Sequence, residues 1–339
     1  YIILIYMKKI LITGAGGFIG SHLTQKLVKN GFKVTALFRY NSSNSRGWLD
    51  QDMDDTEGHF ENKFCDLGDF DFINQLVKNK DIVIHLAALI GIPYSYHARE
   101  SYVKTNINGT FNILEACLKN NVSNVIHTST SEVYGTPLKT PISEKNELQP
   151  QSPYAASKVG ADQLAMSYFK SFKLPLTIIR PFNNFGPRQS NRAVIPTIIN
   201  QVLKKNCKEI NIGSTKPTRD FLYVEDTVDA YLKIIKNTKL HGEIYNVGTG
   251  VEISIKDLIY KILKITNKKN ITIKNEKIRN RPKDSEVMRL VCNASKIEKK
   301  LKWKSSIKSK KDFDNILKKT IEWYEKNTKT IKNKKNFYI

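Results

Sequence analysis

Apolar positions in the first half of the chain follow two alternating rhythms. Short runs dominated by Val, Ile and Leu at 10–13, 33–38, 63–65, 82–86, 125–128 and 176–180 mostly lack polar alternation, the pattern of strands buried on both faces. Between them, apolar residues at helical spacing mark 18–30, 70–78, 100–119 and 154–172. Such alternation predicts an α/β fold with a doubly wound parallel sheet. Beyond Pro181 the rhythm becomes mixed. Short strands are expected at 210–212, 244–247 and 271–274, and helices at 196–205, 226–236, 254–265 and 312–324. The expected organisation is a larger, doubly wound domain over 7–180, with parts of 220–245 returning to it. A smaller mixed α/β lobe follows, mainly over 181–330, and then a basic tail at 331–339.

Composition narrows the function classes. A chain of 339 residues buries about 75% of its unfolded surface and needs no external staple. Its four cysteines show no CxxC and no metal-ligand spacing with His, so reduced thiols, no metal site and a cytoplasmic location are expected. The net charge of +23 comes mostly from Lys spread along the chain. Where Lys is densest, from Lys296 to Lys335, it alternates with Leu301, Trp303, Phe313, Ile316, Leu317, Ile321 and Trp323. That spacing reads as the solvated face of a terminal helix. With no helix-turn-helix, zinc or aromatic RNA-binding signature, no nucleic-acid partner is expected. A basic field does attract a diphosphate substrate. Tyr1 to Tyr6 are apolar but far short of the roughly 20 residues of a membrane span, so no membrane role is expected and Met7 is read as the natural start.

The first strand runs into Gly14, Gly16, Gly17, Phe18, Ile19 and Gly20, which open the first helix. Glycines here permit a tight turn and let the backbone approach a pyrophosphate at a helix N-terminus, where free N–H groups and the helix dipole favour an anion. The strand, turn and helix together predict a Rossmann-type cofactor site. After the second strand, where an NAD site commonly carries Asp or Glu, stands Arg39, followed by Tyr40, Asn41, Ser42 and Ser43. Arg grips a 2′-phosphate bidentately, which favours NADP, and it also stacks on adenine, which leaves NAD open. Asp66 and Leu67 after the third strand, and Leu86, Ala87 and Ala88 after the fourth, fall where adenine and ribose contacts are expected. His85 reads equally as a packed strand-end residue.

Thr130, Ser131 and Glu132 end the fifth strand, and Tyr154 and Lys158 lie four residues apart on one helix face. This pair is what hydride transfer needs. Phenol near pKa 10 is a poor base, and Lys158 with an oxidised nicotinamide is expected to lower it by about 3 pH units, or about 4 kcal/mol. Tyr154 then takes the proton of a sugar hydroxyl that Thr130 orients. Glu132 adds a second base, which a plain dehydrogenase does not require.

With these motifs the chain resembles the extended short-chain dehydrogenase/reductase superfamily, in its nucleotide-sugar epimerase/dehydratase branch. The resemblance also rests on Asn106 to Thr110, Arg180 to Asn183, Gly186 to Arg188, Arg219 to Val224 and Arg281-Pro282. It implies that Asn183, Arg219 and Arg281 hold a nucleotide diphosphate, that Pro196 lies near the base, and that Asn106, one of the expected cofactor-binding residues, supports the active-site helix region. It also implies a homodimer through the helices near 100–119 and 154–172. Where the dTDP-glucose dehydratases carry Asp-Glu, this chain has Ser131-Glu132, as the GDP-mannose dehydratases do. Ser is no strong acid, so either Glu132 shuttles the proton to the leaving hydroxyl or Ser131 relays it through water. Pro93 to His97, Gln151 to Asp162 and Pro187 to Pro196 look most like the nucleotide-activated N-acetylglucosamine 4,6-dehydratases of legionaminic-acid-type biosynthesis. GDP and UDP both remain open.

The reading this supports is a 4,6-dehydratase that returns hydride to C6 within one turnover. Two alternatives share the motifs. A UDP-glucuronate decarboxylase needs a cation for the C6 carboxylate, for which Arg192 and Arg99 are candidates. A 4-epimerase is served by Thr130, Tyr154 and Lys158 without Glu132. A non-catalytic cofactor sensor on the same fold is opposed by the intact Thr130, Tyr154 and Lys158.

Overall fold

The computed structural model describes residues 7–40, 44–52, 59–237 and 240–327. The leading residues 1–6, Asn41 to Ser43 and the expected tail at 331–339 lie outside the described residues. The strands are β1 (Lys9–Thr13), β2 (Lys33–Arg39), β3 (Phe60–Cys65), β4 (Ile82–His85), β5 (Asn124–Thr128), β6 (Leu176–Pro181), β7 (Asn183–Phe185), β8 (Glu209–Ile212), β9 (Thr218–Tyr223), β10 (Ile244–Val247), β11 (Glu252–Ser254), β12 (Thr272–Asn275) and β13 (Arg289–Leu290). A seven-stranded sheet runs β10-β6-β5-β4-β1-β2-β3, with every neighbouring pair parallel.

This sheet is covered on both faces, which is why β1 and β4 near its centre read as apolar runs, while the edge strand β3 keeps Glu61, Asn62 and Lys63. Helices Phe18–Lys29 and Val224–Ile235 bury Leu23, Leu27, Val228 and Tyr231 against Ile10, Ile12 and Ile84 on one side. On the other, helices Phe70–Val77, Gly109–Lys119 and Pro153–Phe172 cover Leu11, Val83, Val125 and Ile178. Each fully buried Leu, Ile or Val contributes about 1.5–3 kcal/mol, so the two layers fix the sheet and the order of its ends. Helix Pro153–Phe172 begins cleanly because Ser152 accepts from Ala155 N at 3.1 Å and Pro153 occupies the first turn.

The second half departs from the expected division. β9 lies at the centre of a four-stranded sheet with β11, β13 and β7, packed by helices Val194–Val202, Ile255–Ile265 and Lys310–Lys326 around Phe185, Phe221 and Phe313. Helix Val224–Ile235 and β10 return to the large sheet. So does a later segment: Ile297, Leu301 and Trp303 join the first core, and the Trp303 indole donates to Asp226 O at 2.9 Å. The returning chain is therefore longer than 220–245. The expected helix at 100–119 forms with an interruption, the π-helical turn Val103–Asn108 between Arg99–Tyr102 and Gly109–Lys119.

Candidate active site

Parallel pairing brings the C-terminal ends of all the large-sheet strands to one edge. The order reverses beside β1, whose neighbours β4 and β2 lead away in opposite directions, and this switch point is where open α/β sheets bind ligands. Thr13, Arg39, Asp66, Leu86 and Thr130 all leave strands at this edge. The glycine loop stands at the switch point. Gly14 has φ +71°, and a Cβ there would lie 2.9 Å from Ala87 N; a Cβ at Gly20 would lie 2.1 Å from Gly14 O. Gly17 caps helix Phe18–Lys29 without a side-chain hydrogen bond, and the first turn carries no acidic residue. The loop thus offers backbone N–H groups at close range, and its residues fit a pyrophosphate.

Behind the loop, Thr13 Oγ1 takes hydrogen bonds from Leu86 N (3.2 Å) and Ala87 N (3.1 Å) and meets His85 Nδ1 at 2.8 Å. His85 Nε2 meets Thr110 Oγ1 at 3.1 Å. Burial, then His127 and Lys158, hold the His85 imidazole well below its ordinary pKa, so it is a neutral packed residue. Asn106 is buried in the π turn. Its Oδ1 accepts from Leu89 N at 2.8 Å, while Nδ2 donates to Leu89 O (3.0 Å) and Ser157 Oγ (2.9 Å). Asn106 therefore ties the loop after β4 to the helix of Tyr154; its amide is occupied by the protein and positions other groups. Arg39 and Asp66 are exposed at their strand ends, Asp66 bonding Gly68 N at 2.9 Å, and the Leu67 carbonyl receives Asn112 Nδ2 at 2.7 Å.

The five residues at the other side of the edge come together. Thr130 is extended and caps the short turn Ser131–Tyr134, its Oγ1 accepting from Glu132 N at 3.3 Å. That turn buries Ser131 and Glu132. Tyr154 is buried against Ile92 and Tyr102, with its phenol hydrogen-bonded to Thr130 and Glu132 nearby. Burial pushes the phenol well above its ordinary pKa, Thr130 pulls it down, and Glu132 raises it further. The fold's own electrostatics thus oppose the lowered phenol expected from the sequence. Lys158 Nζ donates to Thr128 O at 2.6 Å.

Burial lowers Lys158 to about 8, with Asp162 opposing. Its ordinary value is 10.5, so the unfolded chain holds more protons than the folded one between the two values. The associated stability is present above pH 10.5 and is lost as pH falls through about 8. Wild type is expected to gain stability relative to Lys158→Met as pH rises across this window, read from denaturant midpoints. A difference between the two proteins that stays flat with pH contradicts this.

Glu132 faces a second cluster contributed by the lobe. Arg281 Nη1 lies 3.4 Å from Glu132 Oε2, and Arg281 Nε lies 3.9 Å from Glu286 Oε1. Arg219, buried on β9, donates from Nη2 to Glu286 Oε1 (3.3 Å) and from Nη1 to Thr218 O (2.8 Å). Asn183 sits in β7 opposite Phe221, two residues along β9 from Arg219, and its Oδ1 is buried without a hydrogen-bond partner. Arg192 stands near Gly91 and Tyr102, and Pro196 is buried in helix Val194–Val202. Arg99 is exposed and bonds Tyr96 O at 2.6 Å. Sequence reasoning missed Glu286, the carboxylate beside both arginines; only its place shortly after Arg281-Pro282 marks it.

A glycine-cradled switch point beside Thr130 and the buried Tyr154 and Lys158 is the site of a short-chain dehydrogenase/reductase, and the added lobe makes it the extended type. The family model described as GDP-mannose 4,6 dehydratase matches residues 11–320. Human dTDP-D-glucose 4,6-dehydratase is 32% identical over 97% of this chain and 93% of its own. The Dictyostelium discoideum enzyme of the same name is 36% identical over 77% of this chain and 63% of its own. The crystal structure of UDP-glucuronic acid 4-epimerase from Bacillus cereus, in complex with UDP-glucuronic acid and NAD, superimposes with a TM-score of 0.84 at 30% identity, covering 94% of this chain and 99% of that one. The chain belongs to the extended short-chain dehydrogenase/reductase family of nucleotide-sugar 4,6-dehydratases and epimerases.

Proposed function

We propose that this enzyme is a nucleotide-sugar 4,6-dehydratase that converts GDP- or UDP-N-acetylglucosamine to the 4-keto-6-deoxy sugar. The observation that carries the reading is Glu132, a carboxylate buried beside Tyr154 and Thr130. A 4-epimerase only removes and returns hydride at C4 and has no use for it. The N-acetylglucosamine assignment rests on the likeness of 93–97, 151–162 and 187–196 to that subgroup.

The cofactor reading follows the sheet edge. Gly14, Gly17, Phe18, Ile19 and Gly20 would hold the pyrophosphate, Arg39 the adenosine ribose, with NADP favoured over NAD, and Asp66, Leu67, Leu86, Ala87 and Ala88 the adenine side. Tyr154 and Lys158 would meet the nicotinamide ribose, with Asn106 supporting them. When bound, the nicotinamide accepts hydride from C4 and returns it to C6. Tyr154 takes the C4 hydroxyl proton, Thr130 orients that oxygen, and Lys158 offsets the phenolate charge. Glu132 removes the C5 proton made acidic by the C4 ketone, the C6 hydroxyl leaves with a proton as water, and a proton returns to C5. Either Glu132 or a relay through Ser131 delivers the leaving-group proton. Asn183, Arg219 and Arg281 would hold the diphosphate, with Pro196 toward the nucleotide base.

In the division of labour we infer, residues 7–180 with helix Val224–Ile235 and β10 serve the cofactor, and the remainder of 181–330 serves the substrate. The pairing of two subunits is inferred from Phe111 and Phe172, large apolar side chains exposed on the helices expected to pack across a dimer. Among the described residues no helix is long and apolar enough to cross a membrane, and a cytoplasmic enzyme is proposed.

The test is incubation with GDP- and UDP-N-acetylglucosamine without added cofactor, expecting loss of one water and a 4-keto signal. Arg192 beside Tyr102 is the observation that favours the second reading, UDP-glucuronate decarboxylation; carbon dioxide from UDP-glucuronate, with no dehydration, would establish it instead. In Glu132→Gln, solvent exchange at C5 is expected to disappear while hydride transfer at C4 survives. Full dehydration by this variant would refute the base role.

A further inference from the structure

Glu132, the proposed base, touches Arg281, half of the proposed diphosphate clamp. Arg219 is fixed on β9 by a bond to its own strand's Thr218 carbonyl and by Glu286, and it is buried. Arg281 is held differently. It stands between two single turns, Lys277–Arg279 and Lys283–Ser285, outside any regular element, and its contacts are longer: 3.4 Å to Glu132 and 3.9 Å to Glu286. Tyr96 also faces it. Burial holds Arg219 below its ordinary pKa, Glu132 and Glu286 oppose this, and the like charge of Arg281 adds to it.

On the reading that this site takes a nucleoside diphosphate sugar, we propose that Arg281 serves two anions in turn: it clamps the Glu132 carboxylate, and the substrate diphosphate takes it over, so that binding of the nucleotide end releases the base. The chemistry favours the exchange. A guanidinium grips a diphosphate bidentately, whereas its contact with Glu132 is a single one at the long end of hydrogen-bonding range. Release frees Glu132 Oε2 from this contact, so that the carboxylate can turn toward the C5 proton it must take. Glu286 stays with Arg219 and keeps that arginine in place while Arg281 moves. Glu286 is a positioning residue in this scheme.

Coupling of this kind is reciprocal: if the diphosphate must win Arg281 from Glu132, removing the Glu132 charge strengthens nucleotide binding. Calorimetric titration of the cofactor-loaded enzyme with UDP and with GDP, neither carrying a sugar, measures it. Glu132→Gln is nearly isosteric and is expected to tighten binding by about fivefold or more. The gain is expected to vanish in the Arg281→Met background. An equal gain in both backgrounds would mean plain repulsion between Glu132 and the diphosphate; that result, or no gain in the single variant, overturns the shared arginine and leaves the nucleotide reading intact. If neither diphosphate binds wild type, or Arg281→Met binds as tightly as wild type, the diphosphate site itself is wrong and the inference falls with it. Arg281→Lys, which keeps the charge without the bidentate fork, is expected to fall between wild type and Arg281→Met.

Discussion

Tyr154→Phe is expected to lose about 10²- to 10⁴-fold in turnover while the protein folds and binds nucleotide as wild type does. The ring's packing against Ile92 and Tyr102 survives, since those contacts are apolar. What disappears is the hydroxyl bonded to Thr130, the atom proposed to take the C4 proton. The size of the loss follows from the opposed electrostatics. Burial and Glu132 both raise the phenol, so the fold alone makes Tyr154 a poor base, and only a cation close to the ring reverses that. In the proposed mechanism that charge comes from Lys158 and the oxidised nicotinamide together, and a Phe offers them nothing to act on. Single-turnover formation of reduced nicotinamide on a 4-hydroxy sugar substrate reads the step directly. A loss smaller than about tenfold would remove Tyr154 from the proton transfer and leave Glu132 or Thr130 as its carrier.

The parts of this site that were legible in the sequence are those made by short-range geometry. Tyr154 and Lys158 are one helical turn apart, and the glycines follow a strand, so spacing alone places them. The central strands of the large sheet were legible because burial on both faces favours apolar residues, as in Ile10, Leu11 and Ile12 of β1. Short strands with distant partners were not. β7, β11 and β13 have two or three residues each and exist only through pairing with β9, which no local pattern encodes. Glu286 escaped for the same reason. It meets Arg219 across a separation of 67 residues, and Arg281 meets Glu132 across 149. The π turn at Val103–Asn108 leaves the apolar rhythm of its helix nearly unchanged, yet it is what carries Asn106 inward to Leu89 and Ser157. The sequence also named Arg180 only as part of a motif, and its partner is inside the protein.

That partner is Asp162, on the same helix face as Tyr154 and Lys158 and almost completely buried. Its Oδ2 receives Arg180 Nε at 3.1 Å, Arg180 Nη2 at 2.9 Å and Ser129 Oγ at 2.8 Å. Arg180 Nη1 donates to the Tyr134 hydroxyl at 2.9 Å, which donates to Asn246 Oδ1 at 2.7 Å. The network joins β5, β6, β10, the turn carrying Glu132 and the helix carrying Tyr154. Burial alone pushes the Asp162 carboxyl up, but His127, Arg180 and Lys158 outweigh it and hold it below its ordinary range. Arg180→Met would leave that carboxylate ionised in a dry interior with its main partner gone. The expected cost is about 3–5 kcal/mol in urea unfolding, because removing one partner of a buried pair strands the other charge. Replacing both, as Arg180→Met with Asp162→Leu, is expected to recover part of the loss, since the ion pair is then removed as a whole and only Lys158 loses the carboxylate that opposes its burial. An Arg180→Met cost below about 1 kcal/mol would mean that water or a shifted side chain already satisfies Asp162, and that the pair does not anchor the turn carrying Glu132 to the helix carrying Tyr154.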